Sequence, residues 1–354
     1  MTDPFSIKLL KWYDANARSL PWRGTKDPYM IWVSEAMLQQ TTVKTVLGYY
    51  DKWLGIFPDL ESLASAPVGK VLKAWQGLGY YNRARNFHKS AQIVLSAHKG
   101  VLPSDPVLLR ALPGFGPYMT ASVASIAFDV RIPLVDANVR RVVMRLLNIR
   151  GFASASLDKE ILVFLGNVMP DKRCGDFNQA LMELGAMVCT TKSPTCDVCP
   201  VNRGCLAFKA GCQKDIPIPK KAAINQITAV IGLIRRNSKF LIQQRPAGGL
   251  LGGFWEFPGG KVEPTDKSLK TALQRELFEE LGRHCLVGDE FCRVRHYYTT
   301  NKVHLIAFHA ALDAGHSKLK RHQRWASVKE LEQYAMPSGN AKILQKLASQ
   351  APPR

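Results

Sequence analysis

The chain has 354 residues, 46% of them hydrophobic, and a formal net charge of +20. That length accommodates two ordinary domains with a core each, and no apolar run approaches the roughly 18 residues a membrane span needs. A pI near 9.7 points to a polyanionic partner, nucleic acid foremost.

The first residues, MTDPFSIKLLKWYDAN, are mixed and charged, unlike a signal peptide. A cytosolic, nucleoid-associated protein is expected. Thiols stay reduced there, so clustered cysteines point to metal binding before disulfides.

The stretch DPYMIWVSEAMLQQTT, residues 27–42, reads as a helix started by Asp27 and Pro28. Met30, Ile31, Trp32, Val33, Ala36, Met37 and Leu38 leave it no solvated face, so it is expected to be buried. Glu35 shares a face with Ile31 and Leu38. A buried carboxylate tends to stay protonated, which is what a general acid requires. The alternative is a structural Glu satisfied by a neighbouring Arg.

Residues 104–128 read SDPVLLRALPGFGPYMTASVASIAF. Ser104 or Asp105 can cap a helix opening at Pro106. That helix ends at LPGFGP, and a second apolar helix follows from about Tyr118. Gly114 and Gly116 let the backbone turn tightly and bring amide groups to the surface. The second helix adds its N-terminal dipole. Such a helix–hairpin–helix grips backbone phosphate without reading bases.

In IPLVDANVRRVVMRLLNI, residues 132–149, Asp136 stands ahead of an apolar helix with Arg140, Arg141 and Arg145. An Asp there caps the helix, and capping favours its ionised form. A raised-pKa acid at Glu35 and an anionic Asp136 together suit cleavage of a glycosidic bond through a cation-like sugar.

Residues 187–205, MVCTTKSPTCDVCPVNRGC, place Cys189, Cys196, Cys199 and Cys205 within seventeen residues, separated by six, two and five. Structural zinc usually takes two close pairs, and only Cys196 and Cys199 form one. Four thiolates around one compact object suit a cubane iron–sulfur cluster, with zinc the alternative. Cationic Lys192, Arg203 and Lys209 flank these loops.

The stretch KAGCQKDIPIPKKAAINQ, residues 209–226, is rich in Pro and Lys and reads as a linker. Beyond it, ITAVIGLIRR and KFLIQQR read as two strands of a hairpin around Asn237-Ser238. A Gly-rich stretch and an amphipathic helix, SLKTALQRELFEELG, follow.

Together LPWR (20–23), SEAMLQQT (34–41), GLGYYNRARN (77–86), LPGFGPYMT (112–120), VDANVRRV (135–142), LGAMVC (184–189) and the four cysteines resemble the bacterial adenine DNA glycosylases of the MutY type. The resemblance implies a mainly α helix–hairpin–helix glycosylase fold over residues 1–212, with Cys189, Cys196, Cys199 and Cys205 holding one 4Fe–4S cluster. A linker over 213–226 and an α+β Nudix-like domain over 227–354 would follow. The implied partner is double-stranded DNA bearing adenine opposite 8-oxoguanine or guanine, bound by a monomer. The adenine is flipped out of the duplex and its N-glycosidic bond hydrolysed.

By matching position, Glu35 would protonate the adenine, and Asp136 would stabilise or trap the sugar cation. Tyr118 and Asn138 would hold the acid and the sugar side. Gln40 and Tyr80 would wedge into the duplex, and Gly114 and Gly116 would carry the phosphate-gripping turn. Trp22, Arg23, Leu38 and Glu183 would line the base pocket. Endonuclease III-type relatives place a lysine nucleophile where this chain has Tyr118. A Schiff-base lyase step is therefore not expected to be efficient, and a monofunctional glycosylase is expected.

In the second domain Gly260, Arg275, Glu276, Glu279, Glu280 and Gly282 resemble the Nudix box, whose glutamates hold magnesium at a diphosphate in Nudix hydrolases. The interval from Gly260 to Arg275 is one residue longer than that pattern, and Asp266 or Lys267 stands where a Glu belongs. Recognition of the oxidised base is therefore expected, through Tyr297, Tyr298 and Thr299 in RHYYTTNKVHL (295–305). The alternative is a bifunctional protein that also hydrolyses nucleoside-diphosphate-linked substrates. A non-catalytic DNA-binding protein is disfavoured by Glu35 and Asp136.

Overall fold

The computed structural model describes residues 3–219, 225–246, 251–298, 301–313 and 319–350. Two compact units emerge: Met1–Ser65 with Asn86–Lys221, and Ala66–Arg85 with Ala222–Arg354.

In chain order the helices up to residue 212 are α1 (Pro4–Asn16), α2 (Pro28–Leu38), α3 (Val43–Ile56), α4 (Leu60–Ser65), α5 (Val68–Ala74), α6 (Asn82–Ala97), α7 (Pro106–Arg110), α8 (Pro117–Phe128), α9 (Ala137–Leu146), α10 (Ala155–Val168), α11 (Cys174–Met187) and α12 (Leu206–Lys209). Side-chain caps start many of them. Asp27 accepts from the Tyr29 and Met30 amides at α2, Asp105 from Val107 at α7, and Asp136 from Val139 at α9. Each satisfies amide groups that lack an intrahelical partner.

In the first unit α11 packs against α1, α8 and α9, and α2 packs against α8 and α3. Leu9, Val139, Val143, Leu165, Phe177, Leu181 and Leu184 form a core between them. Two glycines of α11 permit close helix contact. A Cβ on Gly175 would lie 2.5 Å from the Ser125 carbonyl oxygen, and one on Gly185 2.6 Å from the Asn138 Cβ. The turn between α7 and α8 needs glycine once: Gly114 has φ +84°, whereas Gly116 has an ordinary φ of −70°. The expectation that both glycines serve the tight turn is therefore corrected at Gly116, which acts as the N-cap of α8.

The second unit is built on a mixed sheet of β1 (Asn225–Arg236), β2 (Lys239–Gln244), β3 (Trp255–Glu256), β4 (Gly259–Lys261), β5 (Cys285–Tyr298), β6 (Asn301–Leu312) and β7 (Gln323–Ser327). The main strand order is β3-β2-β1-β6-β5, with β4 on β1 and β7 on β2. The expected Asn237-Ser238 hairpin joins β1 and β2, with Asn237 at φ +53°. Most of β1, however, pairs in parallel with β6 from Asn225↔Asn301 to Ile234↔Ala310. Helices α13 (Leu269–Leu281), α14 (Val328–Leu331) and α15 (Ser338–Ser349) complete the unit. Both sheet faces are covered: Leu273 and Leu277 of α13 pack with Val230 and Ile234, while Ile343 and Leu347 of α15 pack with Ile231 and Leu233. That explains the unbroken apolar run of β1.

Sequence punctuation set the division at 212 and 227, yet Ala66–Arg85 belongs to the second unit. Its ring residues find their partners there: Tyr81 lies 4.3 Å from Phe254 between ring centroids, and the Lys73 ammonium donates to the Tyr334 carbonyl at 3.4 Å.

Candidate active site and cysteine module

Glu35 sits in the last turn of α2 and is 5% exposed. Tyr118, in the first turn of α8, donates from its hydroxyl to Glu35 Oε2 at 2.8 Å. The same hydroxyl lies 3.4 Å from the Met182 sulfur. Burial pushes the Glu35 carboxyl up to about 7; the Tyr118 and Ser122 hydroxyls hold it from rising further, while Asp136 raises it and Arg23 lowers it. Tyr118 itself is pushed well above its ordinary range, by burial first and then by Glu35 and Asp136. The hydroxyl thus stays a donor. The hydrogen-bond partners of Glu35 are the Tyr118 and Ser122 hydroxyls, and Arg23 acts on it only through its charge.

Asp136 combines two jobs. Oδ1 accepts from the Val139 amide at 2.6 Å and caps α9, while Oδ2 accepts from the Asn138 amide group at 3.0 Å. Asn138 is fixed in turn by Arg141, which donates to Asn138 Oδ1 at 2.9 Å, to the Gly185 carbonyl at 2.7 Å and to the Cys189 carbonyl at 2.7 Å.

The remaining pocket candidates differ in their settings. Trp22 is 7% exposed and its ring lies 5.2 Å from that of Tyr50, edge-on. Leu38 ends α2 and is half-buried. Glu183 is held by two guanidinium groups, Arg18 Nε at 2.7 Å and Arg23 at 3.1 Å. Burial alone would raise its carboxyl; the two arginines outweigh that and hold it below its ordinary value. Arg23 leaves Nε and Nη1 buried without a hydrogen-bond partner, with its guanidinium carbon 5.2 Å from the Tyr13 ring centroid. Sequence reasoning missed Arg18 and Ser122. Ser122 was accessible, since it lies one turn beyond Tyr118 on α8; Arg18 pairs across 165 residues and left no local signal.

Both wedge candidates adopt left-handed backbone geometry, Gln40 at φ 58° and Tyr80 at φ 48°. Such conformations in non-glycine residues are uncommon and gather at functional sites. Gln40 is exposed and Tyr80 is 42% exposed.

The four cysteines line one cavity together with Arg145, Val188, Pro194, Val201 and Phe208, and none forms a disulfide. Arg145, 1% exposed on α9, donates to the Cys189 sulfur at 3.3 Å, to the Thr190 and Thr191 carbonyls at 2.7 and 3.0 Å, and to Ile216 at 2.8 Å. Among the described residues, no group of three His, Cys, Asp or Glu side chains is arranged to hold a metal ion.

In the second unit Arg275 pairs with Asp266 at 2.9 Å, Glu276 at 3.0 Å and Glu279 at 3.3 Å. Glu280 points elsewhere, accepting from the Gly259 amide at 2.9 Å. A Cβ on Gly260 would meet the flexible end of the Glu276 side chain, so the glutamate packs directly over that glycine. Tyr297 is 63% exposed on β5. Tyr298 ends that strand, paired in register with Asn301. Thr299 lies outside the described residues.

A helix–hairpin–helix beside a buried acid, joined to a sheet domain with a Nudix-type helix, defines a base-excision DNA repair protein. Residues 33–163 match the family model described as HhH-GPD superfamily base excision DNA repair protein, and residues 229–346 that of the NUDIX domain. The chain belongs to the adenine DNA glycosylase family. It is 32% identical to the human adenine DNA glycosylase, with 98% of this chain and 74% of that protein covered. The mouse protein is 33% identical over 96% of this chain and 77% of its own length. Among solved structures, a thermostable thymine-DNA glycosylase superposes with TM-score 0.53 and 29% identity over 58% of this chain and 95% of that one. A trapped endonuclease III–DNA covalent intermediate gives TM-score 0.50 at 23% identity over 58% of this chain and 94% of that one, a likeness of fold.

Proposed function

We propose that this DNA glycosylase hydrolyses the N-glycosidic bond of adenine mispaired with 8-oxoguanine or guanine in duplex DNA. The observation that carries the reading is Glu35, a buried carboxyl poised near neutrality against the Tyr118 hydroxyl. Once adenine is flipped into the pocket, Glu35 donates its proton to a ring nitrogen. The protonated base then leaves, and positive charge develops on the sugar. Asp136, oriented by Asn138 and the α9 amide, stabilises that cation or traps it until water adds. With Tyr118 in place of a lysine nucleophile, the chain is a monofunctional glycosylase.

Gln40 and Tyr80 fill the space the adenine leaves, Gly114 and the α8 N-terminus grip phosphate, and Trp22, Arg23, Leu38 and Glu183 line the base pocket. The net charge of +20 supports a duplex partner, since phosphate neutralisation supplies sequence-independent affinity. Among the described residues, no helix is long and apolar enough to cross a membrane.

Cys189, Cys196, Cys199 and Cys205 would hold a 4Fe–4S cluster. Their lining of one shared cavity supports a single centre held by all four. Through these four thiolates a bound cluster would cross-link the loop between α11 and α12. Tyr297, Tyr298 and Thr299 would contact the base opposite adenine. An adenine-release assay on duplexes carrying each mispair tests the reading: release opposite 8-oxoguanine and guanine supports it, and intact adenine in both sinks it.

A further inference from the structure

The turn that carries Tyr80 is clamped by one side chain. Gly77, Gly79 and Tyr80 all have positive φ, at 107°, 71° and 48°. The glycines tolerate this freely; Tyr80 does so only where its surroundings over-determine it. Arg83 supplies much of that determination. Its guanidinium carbon lies 5.3 Å from the Tyr80 ring centroid and 5.5 Å from that of Trp75, so it is shared between the two rings. The same group donates through Nη2 to the Leu78 and Gly79 carbonyls, each at 3.3 Å. The Trp75 indole also donates to the Gly79 carbonyl, at 3.1 Å. Burial draws the Arg83 guanidinium down to about 10, with Tyr80 opposing.

A buttress stands behind the clamp. Tyr81, buried beside Tyr80, packs its ring on Phe254 at 4.3 Å, and its hydroxyl lies 3.4 Å from the Ser338 hydroxyl and accepts from the Gly77 amide at 3.3 Å.

We propose that Arg83 is a positioning residue for the wedge, holding the Tyr80 ring in its left-handed, outward pose by cation–π contact and by capping the carbonyls of the turn. The effect on repair rests on the wedge reading of Tyr80 given above. Lysine cannot replace arginine here: it keeps the charge but loses the flat face and the fork of donors. A phosphate-binding role for Arg83 would tolerate lysine.

The test uses the full chain with its cysteine module intact. In DNA-free protein labelled with 3-fluorotyrosine, the Tyr80 fluorine resonance is assigned by its loss in Tyr80→Phe. Arg83→Lys, and in a second background Arg83→Gln, should move or broaden this resonance while the other tyrosines stay in place. An unmoved Tyr80 resonance in both variants overturns the proposal, whatever happens on DNA.

A second arm separates failure of the wedge reading. A duplex pairs 8-oxoguanine with a 2′-fluoro adenine nucleotide, whose sugar cation the fluorine disfavours, and carries 2-aminopurine beside the mispair. Unstacking by the wedge raises its fluorescence. Tyr80→Ala should reduce that rise at least fivefold; an unchanged rise overturns the wedge reading alone. Arg83→Lys should reproduce the loss, and the double variant should lose no more than Tyr80→Ala. Additive losses would show Arg83 acting other than through Tyr80.

Discussion

The Tyr118 hydroxyl donates to Glu35 Oε2 across 2.8 Å inside the helical unit, and burial holds that carboxyl near pH 7. In the proposed mechanism the protonated form is the active one, so adenine release should fall as pH rises through about 7. Glu35→Gln should abolish release, by at least a thousandfold in single-turnover assays, while duplex affinity stays within a few-fold. An active variant would remove Glu35 from the mechanism. The same burial carries a stability consequence. The folded pKa exceeds the unfolded one, so the native state holds the proton more tightly and loses stability as pH climbs from about 4.5 to about 7. At pH 8 Glu35→Gln should therefore be the more stable protein, by on the order of 3 kcal/mol, and this gain should vanish near pH 4.

Tyr118→Phe separates the hydroxyl from the ring. The hydrogen bond favours ionised Glu35, so its loss should move the alkaline limb of the pH–rate profile to higher pH. A limb displaced to lower pH would mean that the hydroxyl serves the neutral acid instead.

Asp136→Asn tests whether the cap and the chemistry are separable. Asparagine caps a helix as well as aspartate does, so the melting transition should shift by no more than about 1 kcal/mol equivalent. The cation loses its counter-charge, so release should fall at least a hundredfold. Unfolding of this variant would support the plain capping role.

The acid and its helix were legible because a single carboxylate in an otherwise apolar helix breaks a local rule. The caps Asp27, Asp105 and Asp136 were legible for a similar reason, since each sits just before an apolar run. Long-range relationships were not. Arg18 meets Glu183 across 165 residues, and the parallel β1–β6 pairing joins strands that share no turn. The Ala66–Arg85 segment was assigned by its place in the chain, whereas its partner ring, Phe254, lies far downstream. The left-handed geometry of Gln40 and Tyr80 also has no composition signal, because neither is a glycine or an asparagine.

The cysteine module should yield brown protein with about four iron and four sulfide per chain. Zinc in their place would overturn the cluster. Cys199→Ser should lower iron content and weaken duplex binding. Arg145→Met should lower iron content as well, although Arg145 is no ligand. It removes the guanidinium donors that the Thr190, Thr191 and Ile216 carbonyls now share, and leaves the buried acceptor at Ile216 unpaired, at about 1 to 3 kcal/mol. Full iron content in Arg145→Met would show that the loops hold their shape without it.

The second unit should read the lesion without hydrolysing nucleotides. Glu276, Glu279 and Glu280 have the helical spacing to meet at one cation, but Arg275 engages the first two and also Asp266. Glu280 turns to the Gly259 amide, and burial raises its carboxyl to about 7, partly offset by that amide and by Gln243. Magnesium wants ionised oxygens that converge; here a guanidinium pairs with two of them and burial favours the neutral form of the third. Incubation with magnesium and an oxidised purine nucleoside triphosphate should therefore give no pyrophosphate or monophosphate, and Glu279→Gln should leave adenine release unchanged. On the proposed reading, Tyr297, exposed on β5, would add a weak contact to a bound duplex, and two weak contacts on one duplex reinforce each other. Tyr297→Ala should preserve release opposite guanine within about twofold but erode the preference for 8-oxoguanine by roughly five- to tenfold, the size of a single stacking contact. A point substitution tests this better than removal of residues 227–354, which would strip Tyr81 of its packing on Phe254. Magnesium-dependent turnover that disappears in Glu279→Gln would show that the unit is a hydrolase.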